Sequence, residues 1–202
     1  MRLFFAKYFM SCILAIMGLI LISCSSQTDD FQKAPYVADD NLLDAPVTYT
    51  EINLDVSPPD GWTAMDNAKL DMFRRMLGGT EMSTEFYPVY PLAVYQDSVT
   101  GLMMYVSMIE ESEATLKEIS EKYEDFLMPK LKGSGVDRQT YLINGMQIYQ
   151  YLVHSSQIVN YKILGETTTG GRFLIEYISG TAMYSGIEPA IKASLAALKT
   201  SQ

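Results

Sequence analysis

Asn144-Gly145 sits between two apolar-rich runs, Val136 to Ile143 and Met146 to His154. A two-residue type I′ turn needs positive φ at both central positions, and Asn-Gly meets that need with the least strain. The middle of the chain is thereby committed to an antiparallel hairpin. Within its second strand, Met146, Ile148, Gln150 and Leu152 fall on one face and Gln147, Tyr149, Tyr151 and Val153 on the other. Both faces are largely apolar, as expected of a strand covered on each side.

Other strand signals surround the hairpin. His154-Ser155-Ser156-Gln157 turns into Ile158 to Glu166, and Thr169-Gly170-Gly171 turns into Arg172 to Ser179. Connections this short exclude parallel crossovers among these four strands. Earlier, Pro88 to Gln96 and Leu102 to Ile109 are joined by Asp97-Ser98-Val99-Thr100-Gly101, which reads as a second hairpin. Val47 to Val56 alternates with one slip and ends in the turn cluster Ser57-Pro58-Pro59-Asp60-Gly61, so it reads as one strand.

Three stretches carry helical spacing. Leu70, Phe73, Met76 and Leu77 recur at helical intervals, with Gly78-Gly79 as the stop. Thr115 and Glu118 make a capping box ahead of the stripe Leu116, Ile119, Tyr123, Phe126 and Leu127. Ser185 and Glu188 suggest another box, with Pro189 in the tolerated first turn and a stripe of Ile187, Ile191, Leu195 and Leu198. Helices before, between and after the strands predict an α+β fold: an antiparallel sheet of about six to seven strands with helices packed on its faces.

The N-terminus has a different character. Arg2 and Lys7 precede an apolar run from Tyr8 to Ile22; Leu21-Ile22-Ser23-Cys24 closes this segment, and the polar Ser25 to Asp30 comes next. A charged region, an apolar region and a small residue before the cut are the parts of a secretory signal. The tetrapeptide resembles the bacterial lipobox, in which the cysteine is acylated and becomes the new N-terminus. On that resemblance residues 1–23 are a lipoprotein signal peptide and Cys24 carries the lipid. The alternative, an uncleaved spanning helix, needs roughly 18 to 20 apolar residues, more than the run supplies. Several acyl chains on one residue exceed what stable attachment to a bilayer requires. Residues 24–46, with Asp29, Asp30, Asp39, Asp40 and Asp44 and two prolines, read as the lipidated cysteine and a flexible acidic tether. Residues 47–202 are left as one globular domain. Ser25 is not the aspartate that retains some lipoproteins in the inner membrane, so a lipid-anchored place in the cell envelope, on the outer membrane, is expected.

Composition narrows the chemistry. Cys12 and Cys24 are the only cysteines, so the expected mature domain has no disulfide and no thiol ligand or nucleophile. Without Arg2 and Lys7 the chain holds 13 basic and 24 acidic residues, a net charge of −11. Such a charge disfavours nucleic acid as a partner.

The strand ending in Pro59-Asp60-Gly61-Trp62, the capped helix at Thr115, the meander around Asn144-Gly145 and the final helix from Ile187 to Leu198 resemble the PsbP-like fold. The resemblance spans about 47 to 200. It implies a domain that acts by binding other proteins, and it carries over no catalytic residues.

Searching for reactive groups yields little. His154, the single histidine, ends a strand without a second histidine or cysteine in motif spacing, and reads as a surface turn residue. Gly133-Ser134-Gly135 follows a helix and lacks the nucleophile-elbow pattern. Glu110, Glu111 and Glu113 could hold a hard cation, but they read more simply as a solvated approach to a helix N-terminus. Thr167 to Gly171 lacks the lysine of a phosphate loop and reads as a hairpin turn. No catalytic residue, metal ligand or cofactor is therefore expected. Aromatics remain: Trp62, Phe86, Tyr87, Tyr90 and Tyr95 lie near the first strands. Core packing is the simpler account, and Trp62, Tyr87 and Tyr90 are the candidates for a binding surface. The expectation is a non-catalytic binding or assembly module, held to the membrane through Cys24 and engaging an envelope protein. The alternative is a carrier of a small apolar or glycan ligand in a pocket between sheet and helix.

Overall fold

The computed structural model describes residues 30–77, 87–110, 113–131 and 135–201. Phe31–Gln202 make one unit by contact. The leader and Cys24 lie outside the described residues.

The hairpin predicted from Asn144-Gly145 is formed by β7 (Gly135–Ile143) and β8 (Met146–His154). Asn144 has φ 49° and Gly145 φ 85°, the positive pair of a type I′ turn. The Asn144 amide also donates to the carbonyls of Leu198 (2.6 Å) and Ala196 (3.2 Å). It thereby satisfies the exposed end of α3 (Thr181–Ala197), so one residue fixes a turn and caps a helix. The meander continues through β9 (Ile158–Glu166) and β10 (Arg172–Gly180). On its far side it pairs with β6 (Met103–Ile109), then β5 (Val89–Gln96). Two-residue strands close the edges: β1 (Gln32–Lys33) runs parallel to β7, and β4 (Thr63–Ala64) runs antiparallel to β5. The order is β1-β7-β8-β9-β10-β6-β5-β4. These short edges account for eight strands where six or seven were expected.

A second, three-stranded sheet contains β2 (Val47–Tyr49), β3 (Leu54–Val56) and β11 (Lys199–Thr200). The stretch 47–56, predicted as one strand, is thus a small hairpin. Its alternation slips where Thr50 to Asn53 turns, with Asn53 at φ 51°.

Alternation along the strands sorts the core into two layers. Ile148, Ile163, Phe173 and Ile175 face one way and pack with Leu54, Val56, Ile191 and Leu195, so the small sheet and α3 cover that face. Tyr149, Tyr151, Leu164 and Leu174 face the other way, beneath α2 (Leu116–Leu127). There α1 (Asn67–Leu77) joins through Phe73, whose ring centroid lies 5.4 Å from that of Tyr105. Each fully buried Ile or Leu contributes about 1.5–3 kcal/mol by leaving water. Tyr177 donates to Ser194 Oγ (2.8 Å), and Ser194 donates to the carbonyl of Ser57. This relay ties the sheet to α3 and to the chain after β3.

The capping box at Thr115 and Glu118 forms as expected, with Thr115 N donating to Glu118 Oε2 at 2.7 Å. The last helix departs from expectation. It begins at Thr181, straight off β10, and Pro189 lies in its interior. Thr181 N donates to the carbonyl of Gln157 (2.9 Å) and its hydroxyl to that of Ser155 (3.2 Å), which anchors the first turn. Glu188 does not reach back to a cap; it pairs with Lys192 at 2.8 Å.

The boundary of the domain also moves. Residues 31–46, expected to be tether, lie against the fold. Beyond the β1 pairing, Ala34 N donates to the Leu142 carbonyl (3.3 Å), and the Phe31 ring meets Tyr149 edge-on at 5.3 Å. Asp44 N donates to Pro58 O and Asp60 N to Leu42 O, both at 2.9 Å. The segment lacks a periodic apolar pattern because it is a strap: isolated side chains anchor it, and other elements satisfy its backbone.

Candidate functional site

The aromatic residues singled out by sequence do not share a surface. Trp62 is 7% exposed and packs in the core beneath the small sheet, so its role as a surface residue is corrected. Gly61, at φ 76°, turns the chain so that the indole points inward. Tyr87 packs against the layer on the opposite face of the sheet, with Lys122 Nζ 4.3 Å from its ring centroid. Tyr90 is 41% exposed on β5, and the Arg74 guanidinium stands 4.6 Å from its ring centroid. Arg74 Nε also donates to the Pro91 carbonyl at 2.8 Å, so Arg74 caps an open stretch of edge strand. Phe86, Glu111 and Ser134 lie outside the described residues.

Other residues considered for chemistry have ordinary places. His154 Nε2 lies 3.3 Å from Asp137 Oδ2 across β7 and β8. Glu110 borders an open depression of about 490 Å³ beside Glu51 and Arg172. The Thr167–Gly171 turn is the β9–β10 connection, and Gly171 is fixed by contact, because a Cβ there would fall 2.1 Å from the Ile52 carbonyl oxygen. The Thr167 hydroxyl donates to that same carbonyl at 3.3 Å.

A different set of residues converges. Where β7, β8 and β9 run beyond the cover of α3, their first face carries Asp137, Gln139, Tyr141, Gln150, Leu152 and Tyr161. Glu188 and Lys192 of α3 form one bank, and Pro35 and Tyr36 of the strap form the other. The groove, half open to solvent, measures about 300 Å³. Its floor is a hydrogen-bonded array. Tyr36 donates to Gln150 Oε1 at 2.8 Å, and the Tyr36 and Tyr161 hydroxyls lie 3.4 Å apart. Gln150 Nε2 donates to Gln139 Oε1 at 3.3 Å, and the Tyr141 hydroxyl donates to that same oxygen. The rings of Tyr36 and Tyr141 meet edge to face, 5.5 Å between centroids. Tyr161 stacks on Tyr184 at 6.3 Å.

Burial sets the electrostatics. It raises the phenols of Tyr141 and Tyr161 to about 12, and those of Tyr36 and Tyr184 further. These hydroxyls stay neutral near pH 7, able to donate and accept. The Lys192 ammonium, by hydrogen bond and charge, holds the Glu188 carboxyl below its usual range. Burial is the main cause of the Tyr184 shift, and the nearby Glu188 carboxylate adds to it. Gln150 is 3% exposed, an amide placed deliberately among apolar neighbours.

The sequence held a signal for this site. A two-residue turn at 144–145 fixes register, so 139 must oppose 150 and 141 must oppose 148. Two glutamines therefore face each other on a side otherwise lined by Met146, Ile148 and Leu152. Tyr36 had no such signal, because nothing local places the strap.

No protein-family profile matches the chain, and no curated protein matches it by sequence. Among solved structures, the chain is similar to the solution structure of cyanobacterial PsbP (CyanoP) from Synechocystis sp. PCC 6803. Identity is 11%, the TM-score 0.49, and the match covers 77% of this chain and 91% of that one. The α+β class itself is shown by the sheets and helices described above.

Proposed function

We propose that the chain is a lipid-anchored, non-catalytic recognition module of the cell envelope, on the outer membrane. The leader supports the anchor: Leu21-Ile22-Ser23-Cys24 closes an apolar run behind Arg2 and Lys7. One structural observation carries the recognition role. The strap that follows the anchor packs onto the sheet and supplies Tyr36 to the wall of a polar groove. The residues from Ser25 to Asp30 are all that separates Cys24 from that strap. Fully extended, six residues span at most about 20 Å, so the groove works close to the bilayer. Its lining suits binding: the tyrosine and glutamine side chains are held in a hydrogen-bonded array, and Glu188 is paired with Lys192.

Metabolic labelling with a palmitate analogue tests the anchor. The wild-type chain is expected to carry label and sediment with membranes. Cys24→Ala is expected to lose the label. Label that survives the substitution overturns the assignment. The groove also favours a second reading, a ligand carrier, because hydrogen bonds among Tyr36, Gln150 and Gln139 fix its walls.

A further inference from the structure

We infer that the groove between α3, the strap and β7–β9 is a binding site for a neutral saccharide. The inference deepens the recognition reading by naming the ligand class. Volume sets the scale: about 300 Å³ is at the lower end of small-molecule sites, suited to a short sugar unit. Chemistry sets the class. Tyr36 and Tyr141 are half-buried, so their rings are partly open to a ligand, and aromatic faces pack well against the C–H faces of a pyranose. Sugar hydroxyls both donate and accept, and the lining offers both. Gln139 Oε1 already receives two hydrogen bonds, and its Nε2 has no hydrogen-bond partner among the described residues. Asp137 and Glu188 supply carboxylate acceptors, and Lys192 supplies a further donor.

Competing ligand classes fit less well. A phosphate or other anion would meet two carboxylates and only one lysine, itself paired with Glu188 at 2.8 Å. An acyl chain would have to cover the polar atoms of Gln139, Gln150, Glu188 and Lys192 without replacing their water.

The experiment uses the full chain purified in a detergent without a sugar headgroup. An array of neutral oligosaccharides, including gluco-, manno- and N-acetylglucosamine oligomers, is screened, and positives are titrated by NMR on tyrosine ring signals. At least one neutral saccharide is expected to bind saturably and to shift Tyr141 and Tyr161 while leaving Tyr90 unmoved. Tyr141→Ala should weaken that binding roughly three- to tenfold, with Tyr141→Phe intermediate, as loss of stacking and then of a hydroxyl predicts. Gln139 is exposed, so Gln139→Ala keeps the test valid should Tyr141→Ala fold poorly. A silent array, a preference for inorganic phosphate, or binding untouched by both substitutions overturns the proposal. None of these outcomes bears on the lipid at Cys24, and loss of the palmitate label would leave this groove unaffected.

Discussion

Two pairs of tyrosine hydroxyls meet on the same side of the main sheet, and they differ in what covers them. Tyr49 and Tyr95 lie 2.6 Å apart at 7% and 5% exposure, where β2 of the small sheet meets β5 of the main sheet. Tyr36 and Tyr161 lie 3.4 Å apart at the groove, where Tyr161 is 3% exposed and Tyr36, on the strap, is half-buried. In the sealed pair each hydroxyl serves the other, and the contact locks two sheets together. In the groove pair the Tyr36 hydroxyl also donates to Gln150 Oε1, and the Tyr36 side chain is half-buried. The same residue type therefore does structural work under full cover and presents a surface under partial cover. Burial decides which.

The largest effect that probes this difference compares two leucines. Leu195 is fully buried between α3 and the sheet, while Leu152 lines the groove. Leu195→Ala should cost about 2–5 kcal/mol in urea unfolding, because both transfer and cavity terms apply. Leu152→Ala should cost less than about 1.5 kcal/mol, since water can enter the space it leaves. Equal costs would mean that the groove is ordinary core. A smaller contrast uses the hydroxyls. Tyr49→Phe strands the Tyr95 hydroxyl out of reach of water and should destabilise by about 1–3 kcal/mol. Tyr36→Phe leaves Gln150 its bond to Gln139 and should cost about 0.5–1 kcal/mol in the same assay.

These contrasts also show what a sequence can and cannot carry. Asn144-Gly145 announces its turn because the backbone conformation is specified by the two residues themselves, and register then follows for 139 against 150. The capping box at Thr115 is legible for the same reason, being made within four residues. The strap was missed because its stability comes from elsewhere: Phe31 against Tyr149, Tyr36 against Gln150, backbone groups against Leu142 and Pro58. The start of α3 was missed because Ser185 and Glu188 form a plausible cap, and the contacts that override it come from the β8–β9 turn. The aromatic candidates divide: Trp62 packs inside, as the simpler core-packing account expects, while Tyr90 stays exposed on β5. Local rules failed wherever a partner distant in sequence supplied the decisive contact.

Alkaline titration is the finest test of covered against open tyrosines. Burial favours the neutral phenol, so the folded pKa lies above the ordinary value near 10. For a group shifted this way the stabilisation is complete below the unfolded pKa and is lost as pH climbs towards the folded one. Tyr141 and Tyr161, at about 12, should therefore lose their contribution between pH 10 and 12. Tyr49 is raised much further, first by burial and then by Tyr95, so it should ionise only on unfolding. Ultraviolet absorbance of phenolate should show a reversible wave near pH 12 that Tyr141→Phe diminishes, while Tyr49→Phe alters only the later unfolding step. A bound saccharide shields the groove from water and should move the reversible wave upward, leaving the sealed pair unchanged. Titration of Tyr141 at its ordinary value would show that the strap does not close over the sheet, and the distinction between the two pairs would vanish with it.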